Sequence, residues 1–416
     1  MNTRHPPQTP YFWIIGGGLM QVPLIEVVHA LGLRALVTDR RDDCACASLA
    51  DWFEAVDIFD LMGHLVLCDE LLGAGERIAG VLAAGVDAPL TMAVLAQHLG
   101  VPGISPDIAA LVHHKAKCRK RLTELGYPMP LYRQLSPSDL PDLTAIADGI
   151  GYPLIIKNTD SSGSRGTRIF QSRQDEAMHA TAREAMRVSR SGTALLESCW
   201  EGTEHTVETL FDVHGKFHRC FITDRWFDKS AGFAIETGLR HPSVLSVHAQ
   251  EQMYSLAEQV ARDVGIHQGA AKYDMMMTQD GPRIIEMTVR LSGGFDCQYL
   301  VPAATGKQVL RAAVLTALGR PLEPNMLTDT RRRIGVTGSL WPQPGTITRI
   351  EGVAQALALP GIEQVFLRCK TGDRVEAYTD CTQRVCFVIA TGDDEAQARS
   401  HLDRALRTIR IETRPS

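Results

Sequence analysis

Two carboxylates and an arginine share a short stretch late in the chain. In RIIEMTVRLSGG, residues 283–294, Glu286, Thr288 and Arg290 alternate with Met287, Val289 and Leu291. Side chains two apart on a strand share a face, so one face carries an acid, a hydroxyl and a guanidinium. Asp274 lies twelve positions before Glu286, in KYDMMMT. The intervening TQDG, with its Asp-Gly pair, is a hairpin signal that puts Asp274 across from Glu286. Facing carboxylates repel unless a cation sits between them, and Mg²⁺ takes oxygen ligands of this kind. The bland alternative is two unrelated acids at a sheet rim. An arginine beside a metal-bound triphosphate can hold charge that builds on the transferring phosphoryl group or its acceptor. Gly293 and Gly294 then offer backbone donors to an anion.

A second group of residues suits phosphate. The loop DSSGSRGT, 160–167, contains Ser161, Ser162, Gly163 and Ser164, whose backbone N–H and hydroxyl groups are donors, and Arg165 adds charge. It joins two strands, so it is not a Walker loop, which runs into a helix; a plain flexible hairpin is the competing reading. Lys157 ends the apolar strand PLIIK just before this loop. It can neutralise phosphate, although a lysine closing a strand can also simply snorkel. Lys115 is another candidate, but Lys117 and Lys120 surround it, and composition alone reads it as a solvated helix face. Taken together, these pieces suit a nucleoside triphosphate held with a metal ion.

The elements that must position them follow from periodicity. YFWIIGGG is a buried strand running into glycines, PLIEVVHALGL an amphipathic helix, and RALVTD and AGVLAAG further strands, which predicts a parallel sheet over residues 11–104. The glycines, with Asp39 some twenty residues on, invite a dinucleotide reading, but Gln21 stands where the fingerprint needs its third glycine. LVHHKAKCRKRLTELGYPMP reads as one helix ended by Gly126 and the prolines. Strands are expected on both sides of the 160–167 loop, two more in GTALLESCWEGTEHTVETLF, a helix in QEQMYSLAEQVARDVGI, and a helix over 306–318. TDRWFDKSAGFAIETGLRHPSVL, 223–245, has no strong period and reads equally as an exposed loop or a substrate-binding region. Residues 331–416 hold short strands, turns and one final helix, a separate α+β module.

Length and composition bound the rest. A chain of 416 residues predicts two to three domains. A net charge of −5 and only a short RRR run at 331–333 argue against nucleic acid. The start, MNTRHPPQTP, is polar and proline-rich, unlike a signal peptide, and the apolar run after it is broken by Glu26 and His29, so no membrane span is expected. Ten scattered cysteines without a CxxC pair read as reduced thiols of a cytoplasmic protein.

The order of these motifs resembles the ATP-grasp superfamily and, within it, carboxylate–amine ligases similar to L-amino-acid ligases. HKAKCRKRLTELGYPMP is similar to the family's DKxxxRxxLxxxGxPxP, with His114 in place of the aspartate, which selects Lys115 over Lys117. Lys157 matches the second ATP lysine and 160–167 the glycine-rich lid. LLESCWEGTEHTVE resembles the hinge, implying adenine contacts by Glu197 and the backbone to Trp200, and ribose contacts by Glu204. KYDMMMTQDGPRIIEMTVRLSGG matches the acid-x11-E-x-N-x-R signature, implying Asp274, Glu286 and Thr288 as metal ligands and Arg290 as the catalytic and substrate-binding arginine, with Gly293 and Gly294 beside it. The family's usual Asn is Thr288 here, a hydroxyl in place of an amide oxygen.

The resemblance implies an α/β protein with a preATP-grasp parallel-sheet domain (1–105), an ATP-grasp core (106–325) and a C-terminal α+β module like that of amino-acid ligases (326–416). It implies ATP and Mg²⁺, with Mn²⁺ as a substitute, small-molecule carboxylate and amine substrates, and the homodimer usual for similar enzymes. The implied reaction forms an amide through an acylphosphate. A phosphotransferase with a stable phosphorylated product and a nucleotide-binding protein without ligase activity are the alternatives.

Overall fold

The computed structural model describes residues 9–415; the first eight residues of the polar, proline-rich start lie outside them. Strands β1 (Tyr11–Ile15), β2 (Arg34–Thr38), β3 (Trp52–Glu54) and β4 (Ile78–Leu82) form a parallel sheet in the order β3-β2-β1-β4. Every residue of β1 is buried, as an unbroken apolar run in a sheet covered on both faces should be. The glycines after it serve packing. A Cβ on Gly17 would lie 2.3 Å from Cys44 Sγ, and Asp39 accepts the Gly17 N–H at 2.8 Å, so that carboxylate fixes the turn. The helix Val309–Ala317, expected within the central domain, is buried in the same apolar core as this sheet.

Next come β5 (Tyr132–Leu135), β6 (Leu154–Asn158), β7 (Arg168–Phe170) and β8 (Ala194–Ser198), an antiparallel sheet in the order β5-β8-β6-β7. Helices Leu143–Ile150 and Asp175–Val188 pack their apolar sides against it.

The largest sheet begins with β9 (Thr203–Phe211), β10 (Phe217–Asp228), β11 (Ile235–His241), β12 (Gly269–Thr278) and β13 (Gly281–Thr288). The C-terminal stretch adds β14 (Ile334–Leu340), β15 (Gly345–Glu351), β16 (Ile362–Leu367), β17 (Arg374–Val375), β18 (Cys386–Gly392) and β19 (Arg410–Arg414). Eight of these strands run β13-β12-β9-β10-β11-β14-β18-β16, all antiparallel. The C-terminal stretch is therefore less separate than its turn-rich texture suggests. Arg240 and His241 of β11 pair with Val336 and Gly335 of β14, which carries the sheet across the expected boundary. The remaining strands form a small sheet, β17-β15-β19, and helix Glu395–Thr408 helps close an apolar cluster there.

Alternation on β12 and β13 decides which face does what. Tyr273, Met275 and Met287 enter the core beneath helix Val247–Val264, while Lys272, Asp274 and Glu286 take the opposite face. Residues 223–245 are not an exposed loop: they supply the end of β10 and all of β11. Among the described residues no helix is long and apolar enough to cross a membrane, and all ten cysteines are free.

Candidate active site

A cleft runs between the antiparallel β5–β8 sheet and the polar face of the eight-stranded one, and Arg368, Cys381, Thr382 and Arg384 of the C-terminal stretch complete its lining. The single helix expected around Lys115 is two, Pro106–His113 and Lys115–Glu124. His114 between them is extended (φ −92°, ψ 101°), and its ring nitrogen caps the second helix by accepting the Lys117 N–H at 3.4 Å. Burial lowers the His114 pKa, which favours the neutral ring that can accept this bond. The break turns Lys115 into the cleft and leaves Lys117 and Lys120 in solvent. Lys115 Nζ donates to the Ser161 carbonyl at 2.7 Å and stands 3.6 Å from Glu286 Oε1.

Lys157, on β6, is one corner of a buried ion triad. Its Nζ is 2.5 Å from Glu197 Oε2, and Arg119 Nε donates to Glu197 Oε1 at 2.5 Å. Burial works to raise the Glu197 pKa, but Arg119 and Lys157 outweigh it and hold the carboxyl at about 2. Arg119 also donates to the Ile284 and Ile285 carbonyls, tying its helix to β13. The Glu197 carboxylate lines the cleft and is held by these two cations. Ser198, Cys199, Trp200 and Glu201 form the edge of the cleft beside it. Glu204 lines the cleft and accepts Lys229 Nζ at 2.7 Å.

The loop 160–167 arches over this end. Asp160 anchors its start by accepting from Ser189 Oγ and the backbone of Arg190 and Ser191. Ser161, Ser162, Gly163 and Ser164 all line the cleft. The loop touches both flanks: Arg165 is 3.7 Å from Asp87 of the N-terminal part, and the Gly163 carbonyl accepts the Cys381 N–H at 3.1 Å.

On the floor, Asp274 pairs with Glu286 in the expected register. Asp274 lies 2.7 Å from Arg225 Nη1 and accepts Lys272 Nζ at 2.6 Å. Burial opposes its ionisation, yet Arg225 and Lys272 hold its pKa at about 2. Glu286 is a third exposed and tied less closely. Two carboxylates on one face are the oxygen donors that Mg²⁺ takes, and that ion commonly fills its other positions with phosphate oxygens and water. The donor set therefore fits. It is sparse: among the described residues no three His, Cys, Asp or Glu side chains cluster as a metal site. Thr288 pairs with Lys272, is buried, and is not among the residues lining the cleft, so its place in the metal shell is not supported.

Arg290, Gly293 and Gly294 line the far end. Arg290 donates from Nη1 to the Leu291 carbonyl at 2.9 Å, and its buried Nε has no partner among the described residues. Glu236 joins Arg225 to Arg384, at 2.8 and 2.9 Å, which links the C-terminal strands to the floor.

Arg119, Arg225, Lys272, Asp296 and Arg384 carry much of this architecture and were given no role by the sequence. Arg119 alone had a signal, since it occupies the arginine of the quoted helix motif. The others come together only through strand pairing.

Comparison with known proteins follows the same division. Residues 150–298 match the ATP-grasp domain, and residues 339–414 match the L-amino acid ligase C-terminal domain 2. An uncharacterized protein, y4rH, of Sinorhizobium fredii is 25% identical over 396 residues, covering 92% of this chain and 79% of that protein. Carnosine synthase 1 of Homo sapiens is 24% identical, covering 93% of this chain and 49% of the relative, so the chain spans about half its length. The crystal structure of L-amino acid ligase from Bacillus licheniformis superposes with a TM-score of 0.80 at 19% identity, covering 98% of this chain and 99% of that one.

Proposed function

We propose, from the premise that this chain belongs to the ATP-grasp superfamily and carries the C-terminal domain of L-amino acid ligases, that it joins a small carboxylate to an amine at the expense of ATP. The carrying observation is one cleft in which two buried lysines and a serine-glycine loop face the Asp274–Glu286 pair, with Arg290 beyond. The relatives support the same class of chemistry, since carnosine synthase and L-amino acid ligase are among them.

Lys115, Lys157 and the backbone of residues 161–164 hold the triphosphate, with the base along Ser198–Glu201 and the ribose near Glu204. Asp274 and Glu286 would hold Mg²⁺, which when bound would neutralise phosphate charge. The substrate carboxylate attacks the γ-phosphorus, forming an acylphosphate and ADP. Arg290 and the Gly293–Gly294 backbone steady the charge on the acyl phosphate, and the amine then displaces phosphate. The 160–167 lid excludes water that would hydrolyse the intermediate. Free thiols and the composition support a cytoplasmic setting.

The test is a phosphate-release screen that crosses carboxylic acids with amines in the presence of ATP and Mg²⁺. The expected result is turnover that requires one acid and one amine together. Amine-independent turnover with a stable phosphorylated acid would identify a phosphotransferase, and nucleotide binding without turnover would identify a binding protein.

A further inference from the structure

Three features meet at the turn after Arg290. Phe295 is a non-glycine residue in the left-handed region (φ 63°, ψ 22°), a conformation that is strained for a bulky side chain. It is held there by packing: its ring stacks on Phe366 at 3.9 Å between centroids and lies 5.4 Å from Phe387, both on C-terminal strands. The next residues, Asp296–Leu300, form a π-helical turn, a rare geometry often found at functional sites. Asp296 opens that turn, lines the cleft and is only 2% exposed. Its Oδ1 is buried without a hydrogen-bond partner among the described residues. A buried polar atom of this kind carries a desolvation cost that a native fold usually relieves.

We infer that Asp296 is the proton acceptor for the amine substrate, an assignment that rests on the ligase reading above. An amine arrives at neutral pH as an ammonium ion and must lose a proton before its lone pair can attack. The unpartnered carboxyl can take that group: an ammonium is a cation, a donor and the ligand its surroundings lack. Burial, then the acids Glu236 and Glu208, raise the Asp296 pKa well above the carboxylate range, while Lys272 and Arg225 pull it down less strongly. An arriving cation favours the carboxylate, and burial beside Glu236 and Glu208 keeps that carboxylate a stronger base than one in water.

The proton count closes. As the ammonium binds, the resting Asp296 carboxyl gives up its own proton to solvent, and one ammonium proton then passes to the carboxylate. The amine nitrogen forms the C–N bond as the bond between the acyl carbon and the phosphate oxygen breaks. The second N–H proton leaves with phosphate, and Asp296 keeps the transferred proton as its resting form. The aromatic stack gives the C-terminal strands a part in this step, because it holds the turn that presents Asp296.

Asp296→Asn is the test, because it keeps size and removes the basic oxygen. The acid selected in the phosphate-release screen is supplied with either the selected amine or hydroxylamine, which is already unprotonated at neutral pH. The variant should keep most of its hydroxamate formation while its amine-dependent rate falls about a hundredfold. That residual rate should climb about tenfold per pH unit as free amine becomes available, more steeply than wild type. Equal losses with both nucleophiles, or an unchanged amine rate, overturn the assignment. Absence of hydroxamate with every acid in the wild-type chain overturns the ligase reading and this assignment together.

Discussion

The two ends of the cleft handle buried charge in opposite ways. At the lysine end, Glu197 is matched by Lys157 and Arg119, each side chain less than a tenth exposed. At the glycine end, Arg290 Nε, Ser292 Oγ, Asp296 Oδ1 and Arg384 Nε are all buried without partners among the described residues, as is Glu208 Oε1, which stands outside the cleft lining. Burial holds Glu208 at about 7, whereas Glu197 sits at about 2. The contrast fits a division of labour. A triphosphate presents the same groups in every turnover, so its lysine can be positioned in advance by protein. Acid and amine bring their own polar groups, and the side chains that meet them stay open.

The largest effect should come from breaking the matched end. Glu197→Gln leaves two buried cations with no counter-ion, and losing one partner of such a pair costs about 3–5 kcal/mol. Urea unfolding measures it; a loss within error would mean that the triad is not held as described. The same group sets an acid limit. A glutamate in the unfolded chain titrates near ~4.3, and the folded value is depressed to about 2. Its stabilisation is therefore complete above the unfolded value and disappears as pH falls from there through the folded one. Glu197→Gln should flatten that part of the stability profile.

Glu286→Gln probes the floor between the two ends. It should leave unfolding nearly unchanged and cut ATP turnover roughly a hundredfold or more, because the size is kept and the ligating charge is lost. Near-wild-type phosphate release at saturating Mg²⁺ would remove Glu286 from the metal site.

A smaller change is expected in the lid. Ser161–Ser164 should exchange backbone hydrogen more slowly with an ATP analogue and Mg²⁺ than without. Equal protection would make 160–167 a rigid hairpin. The smallest effect belongs to Thr288. Since it stands outside the cleft lining, Thr288→Val should be tolerated and the Mg²⁺ midpoint for turnover should not move. A raised midpoint would return the hydroxyl to the metal shell.

Much of this arrangement was legible because it depends on local pattern. The parallel N-terminal strands, the Asp274–Glu286 register and the loop after Lys157 follow from apolar runs, a two-residue turn and a strand–glycine sequence. The break at His114 was hidden, because the apolar period runs through it and only the cap geometry interrupts the helix. The Arg384–Glu236–Arg225–Asp274 chain was hidden for another reason. It crosses from β18's leading edge to β11, β10 and β12, and long-range strand order leaves no mark in local spacing. The same limit concealed Asp296, whose significance lies in the partners its buried oxygen lacks.

The transfer of oxygen tests the central claim most directly. With the carboxylate substrate labelled in both oxygens by ¹⁸O, acylphosphate chemistry moves one labelled oxygen into the phosphate released with each amide formed. The account predicts one ¹⁸O per phosphate, dependent on Mg²⁺ and amine. Unlabelled phosphate, with both labelled oxygens still in the acid, would mean that water attacks ATP and that this cleft does not activate a carboxylate.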